Sequence, residues 1–205
     1  MALLLAGCGS KLAARPPIAT APGEAAPAAA SAYDPAWGDE CTQGDPLPFG
    51  RARTIEIATC ADEPPRPDGE AVPRQHTAYL VVRREDAIST TLTLGQFVVW
   101  EEGHEWKLAG TIESAGGGAA ALAIYNDSGV GPGSSLYRLH AYALSDEQLG
   151  EVYQVHASGI EVKISGDRRA ATLELCRGCG DEGESTIEMV ELRFDGSRMI
   201  ERRVP

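Results

Sequence analysis

The stretch "GIEVKISGDRRAATLELC" (residues 159–176) decides the fold class. Ile160, Val162 and Ile164 alternate with Glu161, Lys163 and Ser165, and Leu173 and Leu175 alternate with Thr172 and Glu174. A period of two places apolar side chains on one face of a strand and polar ones on the other, as an antiparallel sheet with one wet side requires. Between the two runs "SGDRR" (165–169) supplies turn residues, so the segment reads as strand, turn, strand.

The same grammar extends outward in both directions. Upstream, Trp106, Leu108 and Ile112 alternate with Lys107, Thr111 and Glu113, while "YLVV" (79–82) and "FVVW" (97–100) are apolar on both faces and read as central, doubly covered strands. Downstream, "TIEMVELRF" (186–194) changes phase, with Ile187 and Met189 on one side and Val190, Leu192 and Phe194 on the other. A β-bulge near Met189 is the expected remedy. Asp195-Gly196 is the strongest hairpin signal in the chain, returning into "SRMIERRV". "EEGHE" (101–105) and "SDEQLG" (145–150) mark further turns. The only helical hint is Ser145 with Gln148, a capping-box spacing that Gly150 confines to one turn.

The reading gives about twelve short strands. The fold class is therefore all-β: a single antiparallel β-sandwich or curved barrel over residues 37–205. Turn signals recurring every 45–50 residues or so keep an incomplete β-propeller as the alternative, since three blades cannot close a ring of the usual four to eight. Two loops stand out, "CADEPPRPDGEAVPRQH" (60–76) and "YNDSGVGPGSS" (125–135). Loops of that length are usually either functional or mobile.

Ahead of this domain, Leu5-Ala6-Gly7-Cys8 follows a short apolar run, and it resembles the lipobox of bacterial lipoproteins. The resemblance implies that residues 1–8 are the remnant of a signal sequence and that Cys8 is acylated. It also implies that the anchor is the lipid bilayer itself. Since no Lys or Arg precedes Lys11, the natural start is expected upstream. Residues 9–36 are nearly all Ala, Pro, Ser, Thr and Gly, too poor in large apolar groups to offset the entropy of ordering them. They read as a disordered tether, spanning about 29 Å as a coil and roughly 90 Å extended. Gly9, where such lipoproteins carry Asp for inner-membrane retention, implies the outer membrane. No run after Cys8 approaches the roughly 18 apolar residues that would cross a bilayer.

Of 30 acidic and 18 basic residues, two of each (Glu24, Asp34, Lys11, Arg15) lie in the tether, so the domain carries the whole net charge of −12. A surface this acidic repels nucleic acid. With Cys8 assigned to lipid, Cys41, Cys60, Cys176 and Cys179 remain, and in an oxidising compartment they are expected to form two disulfides. The pairing favoured is Cys41–Cys60 with Cys176–Cys179; the alternative ties Cys41 or Cys60 to the C-terminal pair. Cys176-Arg177-Gly178-Cys179 has the spacing of a redox motif, but "GDEGES" follows it where a thioredoxin-like site needs a helix.

Candidate chemistry is sparse. "WEEGHEWK" (100–107) gathers Trp100, His104 and Trp106 with three acids and is the candidate binding lip; the bland reading makes Trp100 and Trp106 cross-strand partners in a hairpin. Asp127-Ser128-Gly129 within "NDSGVGPG" resembles the "GDSGGP" nucleophile segment of chymotrypsin-like serine proteases, though Asn126 and Val130 stand where that family has glycine. His76, His104, His140 and His156 are scattered singly, which gives no zinc spacing. No metal and no cofactor is implied. The resulting expectation is a lipid-anchored cell-envelope domain that binds an envelope protein or an extracellular ligand without chemistry of its own. The alternative is an envelope hydrolase using Ser128 or a metal near His104.

Overall fold

The computed structural model describes residues 41–62, 74–85, 87–99, 104–127, 136–179 and 185–204. The chain divides after Ala30, and all of the described residues lie in the second part. Cys8, Trp100 and Ser128 lie outside the described residues, as does the side chain of His104.

Thirteen strands form three antiparallel sheets and, among the described residues, no helix. The first sheet holds β1 (Cys41–Gln43), β2 (Leu47–Pro48), β3 (Thr54–Ala61), β4 (Arg74–Arg84) and β5 (Ala87–Val99), in the order β1-β3-β4-β5 with β2 also on β3. The second is the meander β6 (His104–Glu113), β7 (Ala119–Asp127), β8 (Leu136–Ser145) and β9 (Gln148–Ala157). The third is the meander β10 (Gly159–Ile164), β11 (Ala171–Arg177), β12 (Thr186–Phe194) and β13 (Met199–Val204). The all-β sandwich architecture is thus present, as layers of open sheets with no closed barrel. The β8–β9 and β12–β13 turns are equivalent hairpins of successive sheets, so the 45–50-residue rhythm in the sequence marks one four-stranded meander.

The second sheet lies in the middle. Its Ile112, Ala120, Leu122, Leu139 and Ala141 share a core with Leu173, Leu175, Val190, Leu192 and Phe194 of the third sheet. From its opposite face Ala119, Ala121, Ala123 and Tyr142 share another core with Ile55, Ile57, Leu80 and Val82 of the first. Strand β7 is therefore covered on both sides, and Ala119 to Ala123 are all buried. Small side chains on both faces let two neighbouring sheets approach one backbone. Among the described residues no core cluster joins the outer two sheets.

The hairpin 159–176 forms as its alternation requires. Ile160 pairs with Leu175, Val162 with Leu173 and Ile164 with Ala171, all facing the core, while Lys163 lies 3.2 Å from Glu161 and 3.9 Å from Glu174 on the wet face. Asp195 closes the β12–β13 hairpin: its carboxylate accepts the backbone N–H of Ser197 (2.8 Å) and of Arg198 (3.0 Å), and Gly196 takes φ +113°. The N–H of Arg198, then that of Ser197, holds the Asp195 pKa down to about 2. Both disulfides take the favoured pairing, Cys41–Cys60 across β1 and β3 and Cys176–Cys179 at the end of β11.

Several local expectations are corrected. "YLVV" is central in β4 and fully buried, but "FVVW" begins at the end of β5, an edge strand, and Val98 is exposed. β5 and β6, which flank "EEGHE" in the chain, belong to different sheets, and Trp106 stands opposite Tyr125; the expected pairing with Trp100 lies outside the described residues. In β6 the register shifts between Leu108 and Gly110, which sends Ile112 to the face opposite Trp106 and Leu108. Strand β12 pairs with β11 without a bulge, and Ile187 simply faces outward at 53 % exposure. Ser145 and Gln148 form a cross-strand pair around a two-residue turn, Asp146-Glu147, with φ of 49° and 65°. That is the left-handed pair of a tight hairpin, with no helical turn.

Candidate functional site

The inter-sheet layer between the first and second sheets is filled by Ile55, Leu80, Val82 and Tyr142 along part of its length. Beyond Ile57 and Leu108 it opens into a cleft of about 570 Å³. One wall is the segment Thr42 to Asp45 with Leu47; the floor carries Ile57, Thr59, His76 and Phe97; the other wall is Glu105, Trp106, Lys107 and Leu108. Strand register explains the floor. Ala61 pairs with His76 and His76 with Phe97, and these positions share the face of Ile57 and Leu80 that looks toward the second sheet.

Aromatic rings continue from this floor across the middle sheet. His76 stacks on Phe97 at 5.9 Å between centroids, Phe97 meets Tyr125 edge-on at 6.3 Å, and Tyr125 lies 5.1 Å from Trp106. Trp106 in turn lies 5.3 Å from His140, which stacks on Tyr142 at 6.0 Å. Cross-strand pairing sets this row: Trp106 opposes Tyr125, Ala123 opposes His140, and Ala121 opposes Tyr142. The alanines leave room for the rings beside them.

Polar groups edge the row. His140 Nδ1 is hydrogen-bonded to Glu151 Oε2 at 2.7 Å, with its side chain only 12 % exposed, so it is a covered, paired histidine. His156 is exposed. Burial pushes the His76 pKa down, opposed by Asp62 and reinforced by Arg74. Burial pushes Tyr125 up, with Asp127 adding to it, and Tyr142 up further, with Glu151 adding to it. The floor thus presents neutral rings at neutral pH, while Asp45, Glu105 and Lys107 bring charge to the rim.

Of the sequence-derived lip, Trp106 lines the cleft. His104 is placed by its backbone alone, at the start of β6 opposite Asp127 of β7. Asp127 lies 3.8 Å from Arg138. Among the described residues no three His, Cys, Asp or Glu side chains gather as metal ligands, and no helix is long and apolar enough to cross a membrane. The cleft residues that sequence reasoning missed are Thr42, Asp45, Thr59, His76 and Phe97. No local motif links them; the successive pairing of β1 with β3, β3 with β4 and β4 with β5 brings them together. No protein-family model matches the chain, and no curated protein matches it.

Proposed function

We propose that this chain is a lipid-anchored cell-envelope protein whose β domain binds a ligand in the cleft between its first two sheets and has no chemistry of its own. The observation that carries the reading is the cleft: about 570 Å³, floored by Ile57, His76 and Phe97 and rimmed by Asp45, Glu105 and Lys107. Ligand sites combine apolar walls with a few placed polar groups in this size range. The two oxidised pairs fit an exported scaffold. The lipobox resemblance and the Ala/Pro-rich segment after it support an acylated Cys8 and an outer-membrane location.

A photo-crosslinking side chain at Lys107 in intact cells tests the binding role. A discrete adduct that disappears with Trp106→Ala supports it; labelling that ignores Trp106 removes it. Intact-mass measurement of native material tests the anchor separately: acyl chains on Cys8 are expected, and an unmodified Cys8 thiol overturns it.

One observation favours the hydrolase alternative. The β6–β7 register sets His104 opposite Asp127, and Ser128 follows directly in the chain. Turnover of generic ester or peptide substrates that Ser128→Ala abolishes would replace the binding reading with this one.

A further inference from the structure

We infer that the cleft takes an extended peptide, which adds as a strand to the free edge of β6; the inference rests on the cleft being the binding site. The wall of the cleft is formed by the consecutive residues Glu105, Trp106, Lys107 and Leu108. Successive side chains of a strand point to opposite faces. Four in a row around one space fit a strand whose edge, and not only one face, looks into it. Among the described residues strand β6 is the end of its sheet and pairs with β7 alone. Alternate residues there direct N–H and C=O groups away from β7, into the cleft.

The layer above has a strand where the layer below has none. Strands β2 and β3 pack across from β6, and β1 lies outboard of β3, with Thr42 on the same face as its partner Thr59. Among the described residues no strand lies outboard of β6 in the middle sheet. One added strand, about 4.8 Å beyond β6, would occupy the space beneath β1.

The other end of this same edge already takes backbone from elsewhere. Glu113 N–H donates to Arg168 O at 2.7 Å, and the Arg168 guanidinium donates to Thr111 Oγ1 and to Pro48 O, both at 2.8 Å. The turn between β10 and β11 thus covers the edge at Glu113 and leaves it uncovered by that turn at 104–108. Recognition by strand addition draws affinity from main-chain bonds and selectivity from alternate side chains. Trp106 and Phe97 suit an apolar or aromatic residue of the incoming strand, while Asp45 and Glu105, against the one cation Lys107 among the described residues of this rim, together with the net charge of −12 favour flanking Lys or Arg.

The test uses the full chain, isotopically labelled, and eight-residue capped peptides of the pattern Lys-Val-Thr-Xaa-Lys-Val-Thr-Lys, with each of the twenty residues at Xaa. Saturating peptide is expected to slow amide exchange at alternate residues of 104–108 at least tenfold, with aromatic Xaa binding best. N-methylation along the peptide edge that pairs with β6 should weaken binding at least tenfold, and along the other edge by no more than twofold. Binding indifferent to N-methylation, protection on β5 or β13 instead, or protection that rises with protein concentration alone would each overturn strand addition. If chitohexaose or cellohexaose shifts the resonances of Trp106 and Phe97 while no peptide does, strand addition falls and the cleft survives as a glycan site. If no peptide and neither glycan shifts a cleft residue, the cleft reading falls with it.

Discussion

Glu56 is the one acid among the described residues that is nearly enclosed, with its side chain 5 % exposed, and Arg83 Nε lies 2.7 Å from its Oε1 across the β3–β4 pair. Removing the cation strands a buried carboxylate, so Arg83→Ala is expected to destabilise the domain by about 3 kcal/mol, read from urea midpoints at neutral pH. Arg53 with Glu147 makes the informative contrast. Its 2.8 Å geometry is as good, but Glu147 is 69 % exposed, and water screening limits such a pair to at most about 1 kcal/mol. His76 sets a pH dependence. Its folded pKa lies below the ordinary value because burial disfavours the imidazolium, so the unfolded chain binds the proton more readily. Stability from this group is complete above about pH 6.5 and is lost as pH falls through that value toward the lower folded pKa. Urea midpoints measured from about pH 7.5 down to about pH 5 should fall less steeply for His76→Phe than for the parent chain. Equal slopes would show that His76 titrates normally.

Strand β6 shows how one residue redirects an element. Gly110 sits at the register shift, and a Cβ there would lie 2.6 Å from Ile164 Cγ1 of the neighbouring sheet. Glycine at this position lets β10 approach and lets the strand reverse which face is buried, so that Trp106 and Leu108 serve one core and Ile112 the other. Gly110→Ala should therefore cost about 2 kcal/mol through overpacking. Ile164→Ala made alone should cost about as much by emptying the same spot. The double variant is expected to be less destabilised than the sum of the two, and strict additivity in thermal denaturation would show that the contact is absent. The sequence marked β6 as a strand, since its period-two pattern is clear, but the pattern alone reads as a single amphipathic face. A bulge is invisible to alternation when apolar residues lie on both sides of it. The reverse happened in β12, where an exposed Ile187 mimicked a phase change in a strand that is regular.

At the scale of the molecule, the middle sheet is the structural hub, because each of its faces buries apolar groups against a different neighbour. A chain ended at Ala157 would expose Ile112, Ala120, Leu122, Leu139 and Ala141 together. Such a continuous apolar sheet face is an aggregation surface. Truncation there is expected to yield insoluble or multimeric material by size-exclusion chromatography; a soluble monomer with a cooperative thermal transition would show that the third sheet is dispensable. The same layering creates the cleft, since the first sheet carries a strand outboard of β3 and the middle sheet ends at β6.

The sequence by itself determined the all-β class, the hairpins at 165–169 and 195–198 and the buried centre of β4, and it favoured, without deciding, the pairing that the four domain cysteines take. Each of these is local: period-two alternation, turn chemistry, or two thiols near in the chain. Only the tertiary structure decided that three sheets stack with an alanine-rich strand between them, that β5 and β6 part instead of pairing, and that Thr42, His76, Phe97 and Trp106 meet around one cleft. Those outcomes depend on which sheet faces which, and that is set by long-range burial of side chains whose sequence pattern is the same whichever neighbour covers them.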